Sequence, residues 1–151
     1  MLEVGINSFL TVEEADIIVQ EELLTASSES KLWSLLSSND KEVILKQGTR
    51  DINSLNFKGT RANGSKLKFP RYINGVNVGI PYEVKVATVV NALMNNILKD
   101  SEQYNLMKLG VTSMSVGGNS VSLDRNTINN TRVQKDAKEY IQQYLLSNIK
   151  I

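Results

Sequence analysis

The chain has 151 residues, of which 41% are hydrophobic and 22% are charged, and its formal net charge at pH 7 is +1. These values are typical of one globular domain with its own core, and the small net charge excludes a global attraction to nucleic acid or to an anionic membrane. The sequence contains no cysteine and no histidine, which excludes disulfides, thiolate nucleophiles, imidazole bases and the usual zinc ligands.

The N-terminal segment leads into the first predicted helix. The stretch MLEVGINSFL lacks the basic and apolar regions of a signal peptide, and no apolar run in the chain reaches the ~18 residues that a membrane span needs. We therefore expect a soluble protein that is not secreted. Thr11 and Glu14 have the spacing of a capping box, and the apolar periodicity that follows predicts a helix over about residues 12–24.

Two further apolar segments precede the middle of the chain. Residues 31–36 form a short apolar plug around Trp33, and the polar run after it, SSND, is the N-cap signal of another helix. A helix is then predicted over about residues 40–55, with Ile52 on its buried side. Its period is given by Val43, Ile44, Gln47, Asp51 and Leu55.

The next stretch, KGTRANGSKLKFPR, covers residues 58–71 and has two glycines, one proline and no acid. Its glycine spacing is similar to that of a Walker A loop, but the order G-S-K and the helix before it do not fit that chemistry. The basic side chains are those of Lys58, Arg61, Lys66, Lys68 and Arg71. The aromatic residues Phe57, Phe69 and Tyr72 lie near them in sequence, and cations with aromatic rings are typical of single-stranded nucleic-acid grooves. A solvated basic connection is the other interpretation.

The second half of the chain predicts a helix, a hairpin and a last helix. Pro81 is a favourable first residue of a helix. Residues 81–99 are apolar around so much of the helix circumference that we expect this helix at the centre of a bundle. Residues 111–123 alternate small polar and apolar residues around a glycine pair, which predicts a β-hairpin. A final amphipathic helix is predicted over about residues 131–148.

Together these elements predict a mainly α fold, a small helical bundle around the central helix. The whole chain, residues 1–151, forms one domain, with a helical core over about 5–99 and the hairpin and C-terminal helix over about 110–151. Surface acids such as Glu13 and Asp16 on the first helix have no visible partner constellation, and acids near a helix start complement its dipole. We therefore expect no enzyme, no catalytic residues, no metal and no cofactor.

Three stretches resemble the head–tail connector (adaptor) proteins of tailed bacteriophages. The opening GINSFLTVEEAD is similar to the family's Asn-Ser-aromatic-hydrophobic-Thr start, and residues 42–61 are similar to its third helix and aromatic-basic-Gly loop. The segments LKFPR and IPYEVK are similar to its aromatic-Pro-Arg element and to the start of its central helix. The resemblance covers about residues 5–98, with Phe69 at a position where the family pattern has tryptophan.

The resemblance implies a structural virion protein. Such connectors form a homo-oligomeric ring, commonly a dodecamer, under the portal protein, and they join the DNA-filled capsid to the next tail-joining protein (stopper or tail terminator). The implied location is the head–tail joint of the virion after synthesis in the host cytoplasm, with packaged DNA in the lumen and no membrane. Related sequences also carry an automatic label as single-stranded DNA-binding proteins similar to a primosomal protein. A sequence-tolerant single-stranded DNA-binding module is therefore the alternative.

Two candidate sites follow. The basic loop is expected to face another subunit or DNA, anchored by an aromatic-proline pair, and its candidate residues are Lys58, Arg61, Lys66, Lys68, Phe69, Pro70 and Arg71. The C-terminus is expected either to dock on the portal or to pack on the domain core, and its candidate residues are Tyr144, Leu145, Ile149, Lys150 and Ile151.

Overall fold

The structure, a computed structural model, describes residues 1–99, 113–116, 119–122 and 132–146. The helices in these ranges are α1 (Val12–Glu22), α2 (Ser28–Leu35), α3 (Ser38–Asn53), α4 (Tyr82–Lys99) and α5 (Lys135–Ile141), and α5 continues into a 3₁₀ turn, Gln142–Tyr144. The strands are β1 (Thr60–Arg61), β2 (Arg71–Ile73), β3 (Val76–Asn77), β4 (Ser113–Val116) and β5 (Asn119–Ser122). The protein is mainly α, as predicted. None of the described helices is both long and apolar enough to cross a membrane.

Helix α4 lies at the centre of the bundle and contacts each of the four other helices. Its residues Val84, Val89 and Leu93 are fully buried, and Val84 lies on the side of the helix opposite to Val89 and Leu93 because 3.6 residues make one turn. The prediction of a central helix is thus confirmed. Helix α3 approaches α4 closely at Gly48, where a Cβ atom would lie 2.5 Å from the Thr88 carbonyl oxygen.

Side-chain caps fix the starts of α1 and α3. The Thr11 hydroxyl accepts a hydrogen bond from the Glu14 N–H at 3.1 Å, and the Glu14 carboxylate accepts one from the Thr11 N–H at 2.9 Å. This is the capping box that the sequence predicts. The Ser37 hydroxyl accepts from the Asp40 N–H at 3.1 Å, so α3 begins two residues before the predicted position and also ends two residues earlier.

The connection between α3 and α4 contains a small antiparallel sheet that was not predicted. Strand β1 pairs with β2, and β2 pairs with β3. Gly59 enters this sheet with a φ of +78°, and a Cβ atom there would collide with the Tyr72 carbonyl oxygen, so the position requires glycine. The strands have only two or three residues each, which is too short for an alternating pattern to be visible in the sequence.

The predicted hairpin is present, with β4 antiparallel to β5 and Val116 opposite Asn119. Residues 117 and 118 of its glycine pair lie outside the described residues. The C-terminal helix is shorter than the prediction of about 131–148. Its chain leaves the helical path because the Leu146 N–H donates to the Asn56 carbonyl at 3.0 Å and the Lys58 N–H donates to the Tyr144 carbonyl at 2.8 Å.

Helix α5 is held on α4 by two asparagine side chains. Asn91 is fully buried; its Nδ2 donates to the Arg132 carbonyl at 3.0 Å, and its Oδ1 accepts from the Gln134 N–H at 2.7 Å. One turn later, Asn95 Nδ2 donates to the same Arg132 carbonyl at 2.8 Å, and Asn95 Oδ1 accepts from Gln134 Nε2 at 2.7 Å. The residues just before α5 therefore have a defined position on the central helix.

Candidate functional site

The basic loop is organised around the guanidinium group of Arg71. Its nitrogens donate to the carbonyl oxygens of Lys58 at 2.9 Å, Gly59 at 2.9 Å, Lys68 at 3.1 Å and Phe57 at 3.3 Å. The side chain is buried, with 7% of its surface exposed. Arg71 was a candidate for contact with a neighbour or with DNA, but the structure places its donors inside the loop, where they hold the backbone.

Phe69 anchors the loop in the core, as predicted for this residue. It is fully buried, and its ring lies edge-to-face to Phe57 at 4.8 Å, to Phe9 at 6.1 Å and to Tyr144 at 6.1 Å between centroids. Phe57 is buried as well, so neither ring can stack on a nucleic-acid base. Of the three aromatic residues near the basic cluster, Tyr72 is the one that solvent reaches, with 44% of its surface exposed.

Lys68 is also turned towards the protein. Its Nζ donates to the Leu55 carbonyl at 2.6 Å, and its backbone N–H donates to Asn53 Oδ1 at 2.7 Å. Burial lowers the pKa of Lys68, and the nearby charges of Arg71 and Arg61 lower it further. The base of the loop is therefore a cluster of like charges, which favours an anion beside it.

Three cations of the loop face solvent. Lys58, Arg61 and Lys66, here called the loop cations, are exposed, and within the described residues their side chains form no ion pair. Half-buried Pro70 fixes the position of β1, because its carbonyl accepts from the Ala62 N–H at 3.0 Å. The loop cations thus extend from a backbone that Arg71, Phe69 and the small sheet hold in place.

A groove adjoins the basic loop, and sequence reasoning missed it. This groove, here called the α3 groove, has a volume of about 300 Å³ and lies between α3, the N-terminal segment and the loop. It is lined by Ile6, Asn7, Val43, Lys46, Thr49, Arg50, Asn53 and Leu67. The sequence did contain one signal for this groove. Val43, Lys46 and Arg50 are spaced three and four residues apart on a predicted helix, which places them on one helix face.

The structure brings the two predicted sites together. Half-buried Tyr144 and Leu145 pack against the core beside the base of the loop, where Leu145 pairs with Phe57. The Tyr144 hydroxyl donates to Glu83 Oε2 at 3.3 Å, and burial, followed by the Glu83 carboxylate, raises the pKa of Tyr144. Of the two expectations for the C-terminus, docking on the portal or packing on the domain core, these two residues therefore follow the second. The other candidates, Ile149, Lys150 and Ile151, lie outside the described residues.

Comparison with known proteins corrects the interpretation drawn from the phage resemblance. A family model described as "Putative DnaT-like ssDNA binding protein" matches residues 2–148, and no curated protein or solved structure matches the chain significantly. The assignment to the head–tail connectors and the structural virion function were wrong, because the matched family is described by single-stranded DNA binding. The portal, the tail proteins and the place in a virion had no support besides that resemblance. Since the match spans nearly the whole sequence, the chain belongs to the family that carries this description.

Proposed function

We propose that this protein binds single-stranded DNA with little sequence preference, and that the loop cations neutralise its phosphates. The observation that carries this proposal is the placement of Lys58, Arg61 and Lys66, which are exposed without a carboxylate partner in the described chain. The net charge of the whole chain is only +1, so the attraction is local to this surface. The family description supports the same activity.

The rigid backbone of the loop favours binding. Association loses free energy when a mobile segment has to be ordered, so a preformed site binds more tightly than a flexible one with the same charges. Arg71 already orders the loop through its four carbonyl contacts. Tyr72 is paired with Thr60 across the sheet, and Arg61 is paired with Arg71, so the ring of Tyr72 lies on the sheet face opposite to these two arginines. A base can stack on this ring where the strand continues beyond the phosphate that Arg61 contacts.

The test is fluorescence anisotropy with a labelled oligothymidylate over a series of salt concentrations. Each phosphate contact contributes about −0.7 to the slope of log K against log salt for single strands, so three loop cations predict a slope of about −2. The affinity should then fall roughly 20-fold when the salt concentration rises from about 50 to about 200 mM.

The decisive variant is the triple change Lys58→Glu, Arg61→Glu and Lys66→Glu, which should abolish measurable binding. Its matched control carries Lys→Glu changes at three exposed positions on α2 and α5, namely Lys31, Lys135 and Lys138. Both variants change the net charge by the same amount, from +1 to −5. Equal affinities of the two variants, or no salt-dependent binding by the wild type, would exclude the proposal.

A further inference from the structure

We infer that the α3 groove receives one unstacked base of the bound strand, while Lys46 and Arg50 contact the strand around it. This inference rests on the proposed single-stranded DNA binding and extends it from charge neutralisation to contact with a base. It also gives a physical reason for selecting single strands, because a base that is stacked and paired in a duplex cannot enter a groove without being extruded.

The walls of the groove are apolar and open to solvent. Ile6 is 46% exposed and Val43 is 42% exposed, and both line the groove together with Leu67. Large aliphatic side chains that remain wet lose contact with water when a flat base covers them, which is favourable. The volume of about 300 Å³ is at the lower limit of pockets that bind small organic groups.

The cations of the groove are spaced along one helix face. Lys46 and Arg50 are one turn apart on α3, which corresponds to about 6 Å along the helix axis. Neither forms an ion pair within the part of the chain that the structure describes. A guanidinium plane stacks well on a splayed base, so Arg50 is suited to the base. Lys46 is suited to a phosphate beside it, which adds about −0.7 to the salt slope expected from the loop cations alone.

One polar group of the groove is left for the ligand. Asn53 Oδ1 accepts the Lys68 N–H at 2.7 Å, which fixes the side-chain amide. Its Nδ2 makes no hydrogen bond to any residue that the structure describes, so it is a donor for a carbonyl oxygen or ring nitrogen of a base. The Thr49 hydroxyl is already used, since it accepts from the Phe9 N–H at 3.2 Å.

The groove adjoins the loop cations at Lys66. Leu67 lines the groove, and the residue before it, Lys66, is one of the exposed loop cations. A strand held at Lys66 is therefore beside the groove. Continuity with the proposed phosphate contacts and the positive rim made by Lys46 and Arg50 select a nucleic-acid strand as the occupant.

The experiment compares an intact oligothymidylate with an abasic oligomer of the same length, which keeps the phosphates and lacks the bases. The groove variant is Ile6→Ser with Val43→Ser, which removes two apolar walls without changing charge. The matched control is Ile17→Ser with Leu24→Ser on the α1 side, where the side chains are 52% and 80% exposed. Both pairs are made in a Tyr72→Ala background, so that stacking on Tyr72 cannot mask the effect.

The background protein and the control pair should bind the intact strand at least about fivefold more tightly than the abasic one. The groove variant should bring this ratio close to one, with an unchanged salt slope and unchanged urea unfolding. An unchanged ratio in the groove variant, or equal binding of both strands by the background protein, would overturn the inference while leaving the phosphate contacts intact. Wild-type protein that binds neither strand would instead exclude the proposed function, and the inference with it.

Discussion

Replacement of Arg71 by methionine is expected to destabilise the basic loop from inside. Methionine keeps much of the length of the side chain but has no donor. The change therefore removes four hydrogen bonds of 2.9–3.3 Å, whose acceptors are the carbonyl oxygens of Phe57, Lys58, Gly59 and Lys68. No other residue of the predicted basic cluster has so many contacts with the loop backbone within the described chain.

The expected loss is about 2–4 kcal/mol in the free energy of unfolding. Hydrogen bonds from a charged donor contribute about 1.5–3 kcal/mol each, and two effects reduce their sum. Burial, followed by the charge of Arg61, lowers the pKa of Arg71, so removing the guanidinium relieves a desolvation penalty. Water also reaches the exposed residues Lys58 and Gly59, whereas the bond to the Phe57 carbonyl is buried and has no such replacement.

Urea and thermal unfolding followed by circular dichroism measure this loss. For a chain of this size, 1 kcal/mol shifts Tm by about 2–4 °C, so the expected decrease is roughly 4–16 °C. Arg61→Met is the matched control, because Arg61 is exposed and its loss should change stability by less than about 0.5 kcal/mol. If the free energy of unfolding of Arg71→Met lies within about 0.5 kcal/mol of the wild-type value, Arg71 does not hold the loop.

Three further outcomes are expected. Phe69→Ala removes a fully buried ring and should cost about 3–5 kcal/mol in urea unfolding; a loss below about 1 kcal/mol would contradict its role as the anchor. Gly48→Ala should cost about 1–3 kcal/mol because its Cβ would lie 2.5 Å from the Thr88 carbonyl, and unchanged stability would show that α3 and α4 can separate freely. Burial, then the hydrogen bond to Glu22, raises the pKa of Tyr82 from 10.0 to about 12. Between these two pKa values, the folded protein keeps the Tyr82 proton that the unfolded chain loses. The stability that the protonated Tyr82 contributes is therefore fully present below pH 10 and is lost as the pH rises towards 12. Glu22→Gln should lower the Tyr82 midpoint in a tyrosinate absorbance titration of single-tyrosine variants, and an equal midpoint would show that Glu22 does not contribute to the raised pKa.

The helical bundle could be predicted because its signals are local. The capping pair Thr11 and Glu14 and the broad apolar circumference of residues 81–99 depend on neighbours within a few positions, and the structure confirms both. The end of α5 could not be predicted in this way. Its amphipathic period continues to Leu145, but pairing with residues 56–58 draws the chain out of the helix, and that contact joins residues far apart in sequence.

The candidate site was predicted only in part, for a similar reason. A cation in a loop rich in glycine is expected to face solvent, and Lys58, Arg61 and Lys66 do so. Arg71 does not, because acceptors from both sides of the loop converge on it. The phage interpretation relied on short motifs, and motifs of that length do not determine function. The predicted self-association and the absence of an enzymatic activity stay predictions.

The contacts of Asn91 and Asn95 with Arg132 and Gln134 also bear on where the chain can change in length. They hold the chain after residue 131 within about one helical turn of the end of α4, so the intervening stretch begins and ends at nearly the same place. A change in the length of this connection therefore leaves both of its fixed ends in place. A reporter domain inserted between these ends is therefore expected to leave the contacts of Asn91 and Asn95 intact.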